Sequence, residues 1–457
     1  MRSAAEQPRK DLPLSPPAGL RRMPPMGQHA AGLRITLSGE NTMRIRRLNT
    51  GAAAVIAACL LWVAGCKRDI PNPPPSAEPA APATLPAVAA KPSSTIVTAH
   101  LEEKIPLGKN VLWCATFQLA WNELMDYAGG PLTIDNSPVM VDILNRRSFI
   151  SADIDAESYV ALAGRISDGT LDKARKELTR KFPGQSTDLL PIAATFPPDA
   201  VMMYAFLAKH LPFEYAFPRQ DSICFLPDGE PAEVPVSNIA AFGFSQYSPS
   251  RESEVKQARQ VRILWHEFAK TETEKAEHFV VELLTRSKED RLILARIPPK
   301  ETLGATVSEV MRLSAKPNTL ELPSEDRAKL KALVEMLPET ESQYACLLPM
   351  ECLYVPLVDL DVCREYVELH GLSCRNPKLE RLPWAFAMQQ IQFRLDEGGA
   401  ALKSEALGGL FGDAGRNFYF GRPFLILLLR RGASRPYFAL WIGNSDLLVK
   451  APQRGGK

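Results

Sequence analysis

The sequence predicts one large α+β domain with a large mixed β-sheet, smaller sheets and packed helices. The 457-residue chain is 46% hydrophobic and 23% charged, which is typical of a globular protein with an ample core. Short apolar runs bounded by polar or proline residues alternate with segments of helical periodicity, without an internal repeat. Two nearly all-apolar runs near the C-terminus are typical of strands whose two faces are both covered.

The N-terminal part of the chain is expected to lie outside this domain. Residues 1–42 carry no usable motif and are interpreted as an upstream start-site artefact or a disordered extension. Residues 43–65 have the layout of a secretory signal, because arginines precede an apolar run that is too short to span a bilayer. An uncleaved apolar anchor is the alternative.

The end of that apolar run, VAGC, resembles a bacterial lipobox. By this resemblance Cys66 is the lipid attachment site, and the protein is an extracytoplasmic lipoprotein held on the membrane of a cell envelope. Lys67, in place of an aspartate, suits the outer membrane if the host has two membranes. Residues 66–96 are rich in proline and alanine, which predicts a semi-rigid spacer. The domain itself is predicted over 97–450, with a disordered tail over 451–457.

Within the domain, periodicity predicts a series of helices and strands. Helices are predicted over 110–125 and 361–372; strands are predicted over 201–209, 278–284, 291–297 and 352–360, with two more inside 422–443 joined by a turn at 430–436. Most of the six cysteines of the body are expected to be buried free thiols, because a domain of this size does not need disulfides.

Motifs give no support for catalysis. The histidines lack metal-binding spacing, and the chain has no GxSxG, P-loop or strand-linked GxGxxG motif, so we predict no enzyme, no catalytic residue, no metal and no cofactor. Cys114 with His266 is interpreted as a chance pair, and Asp359 with Asp361 as solvated loop carboxylates. A pI near 8.0 without a basic stripe argues against nucleic acid as a partner.

A polar, glycine-rich segment separates two strand-like runs near the C-terminus. Four glycines fall within eight residues, Gly408 to Gly415, and no apolar period runs through them. We therefore predict an exposed loop, and a loop of this length in a compact domain is usually either functional or disordered.

The order of residues around this loop resembles the serpin family of protease inhibitors. In that family a central strand leads into a hinge of acidic, glycine and small residues, then a reactive loop, then an aromatic, Pro-Phe and two apolar strands. The matching hinge residues are Asp396, Glu397, Gly398, Gly399, Ala400 and Ala401, and the later matches are Phe420, Arg422, Pro423, Phe424 and the run from Tyr437 to Gly443. Weaker similarities extend over most of the body.

The resemblance implies a mechanism and a partner. A serine or cysteine protease cuts the loop, and the hinge then inserts as a new strand in the central sheet and traps the protease covalently. The loop length puts the scissile bond between Gly412 and Asp413, and the inward-facing set after insertion includes Lys403 and Glu405 beside Gly399 and Ala401. Burying two charges costs several kcal/mol per ion, which opposes insertion.

Other residues depart from the family pattern. Cys114 and Ala115 replace a serine and a proline of the gate through which the loop enters the sheet. Met388 replaces the gate histidine, and Phe213 replaces a tryptophan. The sequence thus predicts a monomeric serpin-like module that is non-inhibitory or weakly inhibitory; a functional covalent-trapping inhibitor of serine or cysteine proteases is the alternative.

Overall fold

The computed structural model of the protein describes residues 94–185, 189–228, 235–248, 250–267, 278–315, 346–349, 351–379, 382–398 and 416–451. All of them belong to one compact unit, Ala87–Lys457. Its first strand starts at Thr95, two residues before the predicted start of the domain.

The described residues form fifteen strands and six α-helices. The strands are β1 (Thr95–Thr98), β2 (Asn110–Cys114), β3 (Tyr159–Arg165), β4 (Val201–Leu207), β5 (Arg219–Phe225), β6 (Val236–Phe244), β7 (Val261–Glu267), β8 (His278–Leu283), β9 (Asp290–Arg296), β10 (Cys352–Pro356), β11 (Val358–Glu365), β12 (Met388–Leu395), β13 (Asn417–Tyr419), β14 (Phe424–Arg430) and β15 (Pro436–Ile442). The helices are α1 (Thr116–Ala128), α2 (Val139–Asn145), α3 (Thr170–Lys181), α4 (Leu189–Ala193), α5 (Glu252–Ala258) and α6 (Leu303–Ser314).

The largest sheet has seven strands in the order β1-β2-β15-β14-β9-β8-β7. It is mixed, because β1 runs parallel to β2 whereas the other neighbours are antiparallel. Every residue of β15 is buried, as is all of β14 except its last residue. This double-faced burial explains why both strands are almost free of polar residues.

A four-stranded sheet, β13-β10-β6-β5, packs against the seven-stranded sheet. Aromatic rings fill the space between them: the ring centroid of Phe279 in β8 lies 5.2 Å from that of Phe418 in β13 and 5.0 Å from that of Phe420. This packing fixes the position of β13, which follows the glycine-rich segment in the chain.

Two separate ribbons complete the sheets. β3 pairs with β4, and β11 pairs with β12, each antiparallel. The β3–β4 ribbon lies between α1 on one face and α3 with α4 on the other, as its two sets of buried neighbours show. The resemblance to serpins implies that the strand before the hinge belongs to the large central sheet. In the structure this strand is β12, and among the described residues it pairs only with β11, in a two-stranded ribbon.

The predicted fold class, α+β with a large mixed sheet, packed helices and smaller sheets, is confirmed. Four predicted strands correspond to β4, β8, β14 and β15 within a residue or two, and the run over 291–297 corresponds to β9. The turn at 430–436 is also confirmed.

Three predictions about elements were wrong. The helix predicted over 110–125 begins only at Thr116, because the residues of β2, Asn110–Cys114, are all buried and pair with β15. The strand predicted over 352–360 is two strands in different sheets, broken at Leu357. The helix predicted over 361–372 is the rest of β11 and a short 3-10 turn, since the alternation of buried and exposed residues in β11 has the period of a strand.

The cysteine prediction is half right. Of the six described cysteines, only Cys114 and Cys374 are buried, whereas Cys346 and Cys352 are partly exposed and Cys224 and Cys363 are exposed. Asp359 and Asp361 are exposed as predicted, although they lie in β11 and not in a loop.

Gly243 in β6 is a position where the fold tolerates no side chain. Its φ is +131°, and a Cβ there would lie 2.0 Å from the carbonyl oxygen of Leu353 in the neighbouring β10. Gly243→Ala should therefore lower the free energy of unfolding by roughly 3 kcal/mol or more, measured from urea unfolding curves.

Gly371→Ala is the matched control for Gly243→Ala. Gly371 also has a positive φ, +72°, but a Cβ added there would meet nothing within 4 Å, so only the backbone cost of about 1 kcal/mol is expected. Equal losses for the two variants would contradict the proposed clash with β10.

Candidate functional site

Candidate site residues Asp396, Glu397 and Gly398 lie directly after β12, and we call this stretch the upstream anchor. The Asp396 carboxylate is buried, 5% exposed, and accepts hydrogen bonds from Arg394 Nε at 2.8 Å and from the backbone N–H of Gly398 at 3.1 Å. A carboxylate that accepts the N–H two residues later forms a local turn, so the chain leaves β12 in a fixed direction.

Glu397 connects the upstream anchor to the segment before β5. The backbone N–H of Phe217 donates to the Glu397 carbonyl oxygen at 2.8 Å, and Arg219 lies 3.6 Å from the Glu397 carboxylate. That segment is itself held by the four-stranded sheet, because the N–H of Gly243 donates to the carbonyl oxygen of Pro218 at 2.9 Å. The upstream anchor is therefore fixed to two different parts of the domain.

The other end of the glycine-rich segment is held by a buried ion pair, the downstream anchor, formed by Arg416 and Glu351. Both side chains are 2% exposed, and the guanidinium makes two hydrogen bonds to the carboxylate, with Nη2 and Oε2 2.9 Å apart. Arg416 Nη2 also donates to the Cys346 carbonyl oxygen at 3.1 Å. A bidentate arginine–carboxylate pair combines strength with a fixed geometry.

The residues around the downstream anchor are buried and hydrogen-bonded. The backbone N–H of Leu348 donates to Glu351 Oε2 at 2.9 Å, and the Tyr247 hydroxyl donates to the Leu347 carbonyl oxygen at 3.0 Å. Burial, followed by the nearby Glu351 carboxylate, raises the pKa of Tyr247 to about 12. Tyr247 is therefore a neutral hydrogen-bond donor throughout the physiological pH range.

The remaining candidate site residues lie outside the described residues. They are Cys66 and the loop residues Gly399, Ala400, Ala401, Lys403, Glu405, Gly412 and Asp413. The structure thus brings each end of the segment 399–415 to an anchor, and the roles assigned to residues within it stay predictions.

A cavity of 310 Å³, here called the ribbon cavity, is lined by residues of both β4 and β12. Phe117, Ala120 and Leu124 of α1 also line it, and its surface is mostly apolar. Among the described residues, the backbones of β4 and β12 do not pair with each other. Each ribbon therefore presents a strand edge beside an apolar space, and such an edge is able to pair with another strand.

Gln389 is a site residue that the sequence analysis missed. It is 3% exposed; its Nε2 donates to the Cys114 carbonyl oxygen at 3.0 Å and to Thr116 Oγ1 at 2.8 Å, and its Oε1 accepts from the Tyr366 hydroxyl at 2.7 Å. The amide thereby ties β12 to the start of α1. The sequence analysis singled out Met388 instead, and only the alternation of buried positions in β12 could have pointed to its neighbour.

The surroundings of Cys114 do not favour a nucleophilic thiol. Burial raises the pKa of the Cys114 thiol, which disfavours the thiolate needed for nucleophilic attack. In the described ranges, no group of three histidine, cysteine, aspartate or glutamate side chains is placed to hold a metal ion. None of the helices in the described part of the chain is long and apolar enough to cross a membrane.

Comparisons with known proteins give distant structural likenesses. No family model and no curated protein matches this sequence. Protease nexin-1, solved with heparin, is similar with a TM-score of 0.37 and 8% identity over 74% of this chain and 92% of that one. Human thyroxine-binding globulin is similar with a TM-score of 0.37 and 12% identity over the same shares. Likenesses at this level establish neither family membership nor function.

The downstream anchor generates a stability prediction. Glu351→Gln leaves Arg416 buried without its countercharge, so we expect the free energy of unfolding to fall by about 3–5 kcal/mol in urea unfolding curves. The double variant Glu351→Leu with Arg416→Met removes both charges and should recover much of this loss.

A matched control for the anchor is Glu368→Gln, which breaks the partly exposed pair of Glu368 with Arg364. Its effect should be much smaller, because solvent already screens that pair. If the Glu351 variant costs no more than the Glu368 variant, the buried pair does not anchor the chain.

Proposed function

We propose that the protein is a serpin-like cell-envelope lipoprotein that presents residues 399–415 as an exposed reactive-loop segment and is non-inhibitory or weakly inhibitory toward proteases. The observation that carries this proposal is that both ends of the segment are held on the body of the domain, by the upstream and downstream anchors. A segment held at both ends and rich in glycine is suited to be displayed as a surface loop.

The order of elements supports the serpin-like part of the proposal. The chain runs from a strand, β12, through the acidic anchor to the glycine-rich segment, and then through β13 to the buried pair β14 and β15. This is the order that the serpin resemblance of the sequence implies. The protein would act by binding a partner through the loop, without chemistry of its own.

The ribbon cavity bears on whether the loop can insert. Its apolar surface, with Phe117 and Leu124, suits small uncharged side chains. Lys403 and Glu405 belong to the inward-facing set of an inserted strand, and losing their hydration there costs several kcal/mol per ion even when they pair. Because two charged side chains would have to enter an apolar cavity, we expect the loop to remain outside the ribbon cavity.

One observation favours the alternative, a covalent-trapping inhibitor of a serine or cysteine protease. β4 and β12 both line the ribbon cavity and do not pair with each other among the described residues, and a strand that paired with either edge would gain backbone hydrogen bonds worth roughly 0.5–1.5 kcal/mol each. The inhibitor function requires that the free energy gained from these hydrogen bonds exceeds the free energy cost of desolvating Lys403 and Glu405. The non-inhibitory function requires the reverse.

Loop cleavage followed by thermal unfolding separates the two functions. Limited proteolysis should nick the folded domain first between Lys403 and Arg416, with the two fragments remaining associated. We expect little change in Tm after cleavage and no denaturant-resistant complex with a serine protease. Lys403→Ala with Glu405→Thr should raise the Tm of the cleaved form, because the inward set then carries no charge.

Asp413→Asn is the matched control, since it removes a loop charge outside the inward set and should leave the Tm of the cleaved form unchanged. A sharp rise in Tm for the cleaved unmodified protein, or a covalent band with a protease on a denaturing gel, would restore the inhibitor function. Early cleavage elsewhere with this segment resistant would count against the serpin-like architecture.

Membrane attachment is tested separately. Cys66→Ser should move the protein from the detergent phase to the aqueous phase in detergent phase separation of a bacterial expression host, because the lipid anchor would be lost. Cys59→Ser, inside the apolar run, is the matched control and should not change the partition. Unchanged partition of the Cys66 variant would rule out lipidation at this residue.

A further inference from the structure

A second cavity, here called the basic pocket, has a volume of 540 Å³. It is formed where α5 ends and β7 begins, by the turn after β8, and by the turn between β14 and β15. Five cationic side chains line it, from Lys256, Arg259, Arg262, Lys288 and Arg431, against one carboxylate, that of Glu214.

Three of these five cations have no carboxylate partner among the described residues. Lys256 pairs with Glu252 at 2.7 Å, and Arg431 pairs with Glu282 at 3.0 Å. The other three cations, Arg259, Arg262 and Lys288, form no ion pair with any carboxylate in the described part of the chain. A concave surface with an excess of one charge concentrates ligands of the opposite charge.

Two residues in the lining of the basic pocket, Gln260 and Thr285, differ in their hydrogen bonding. Gln260 is 6% exposed, and its amide makes hydrogen bonds to both the backbone N–H and the carbonyl oxygen of Tyr215, at 2.9 and 2.7 Å. The N–H of Leu284 donates to the Gln260 carbonyl oxygen at 2.7 Å. Beside it, the buried Thr285 Oγ1 has no hydrogen-bond partner within the described ranges, and buried hydroxyls are normally satisfied.

We propose that the basic pocket binds a compact tetrahedral oxyanion group, a phosphate or a sulfate ester. Guanidinium groups recognise such oxyanions through paired N–H donors, so Arg259 and Arg262 would hold the oxygens. Lys288 adds a point charge, and the Thr285 hydroxyl is available as a further donor. The cavity is larger than a bare oxyanion needs, which favours an ester whose organic part occupies the remaining space.

The test is isothermal titration calorimetry of the full chain at constant ionic strength. The three probes are inorganic phosphate, inorganic sulfate and glycerol 3-phosphate. We expect saturable binding at one site, tighter for glycerol 3-phosphate than for phosphate if the ligand is an ester and equal if it is the free ion. Arg259→Gln and Arg262→Gln should each weaken the binding about tenfold or more, because each removes a charge-assisted contact.

Arg286→Gln is the matched control, since Arg286 is an exposed arginine on the same turn that does not line the pocket. It should leave the affinity unchanged. Arg259 and Lys288 are exposed, so Arg259→Gln and Lys288→Gln test the site even if Arg262→Gln fails to fold. Absence of saturable heat with all three probes, or unchanged affinity in the Arg259 and Lys288 variants, would overturn the proposal without touching the loop-based function.

Discussion

The burial of β14 and β15 on both faces is the constraint on which the rest of the structure depends. Their backbone N–H and C=O groups have no access to water, so each must be paired inside the sheet. The partners come from distant parts of the chain, β2 on one side and β9 on the other. The N–H of Ala115 donates to the Tyr437 carbonyl oxygen at 3.0 Å, so β15 also sets where α1 begins.

That central pair of strands positions the candidate site through two further contacts. The rings of Phe393 in β12 and Phe438 in β15 stack with centroids 4.5 Å apart. Gln389 links the other end of β12 to the start of α1. The elements that line the ribbon cavity are therefore held in place by their contacts with the seven-stranded sheet and α1. The two ribbons do not need to pair with each other to form the cavity.

Charge is distributed very differently over the regions of interest. The downstream anchor is a closed, dry ion pair whose loss would leave a buried charge. At the first residue of β9, buried Asp290 is paired with Lys209 at 3.0 Å and accepts from the Tyr437 hydroxyl at 3.1 Å; burial, followed by this carboxylate, raises the pKa of Tyr437. Five cationic side chains line the basic pocket, and three of them, Arg259, Arg262 and Lys288, have no ion-pair partner among the described residues.

The sequence by itself determined the fold class and several strands, among them β4, β8, β9, β14 and β15, because apolar periodicity and chain-breaking residues are local signals of a buried strand. The sequence also identified the acidic residues of the upstream anchor. It likewise predicted that β14 and β15 are two buried, neighbouring strands. It misassigned β2 and the second half of β11, where apolar residues at helical spacing were buried by neighbouring strands instead.

Only the tertiary structure decided which distant residues meet. Nothing in the sequence links Arg416 to Glu351, Arg219 to Glu397, or Arg259 and Arg262 to Lys288, because each contact joins elements whose separation along the chain carries no periodic signal. The sequence likewise gives no signal that the strands around the ribbon cavity form two separate ribbons, β3–β4 and β11–β12. Strand pairing depends on which backbone edges packing brings together, and side-chain patterns specify a buried face but not a neighbour.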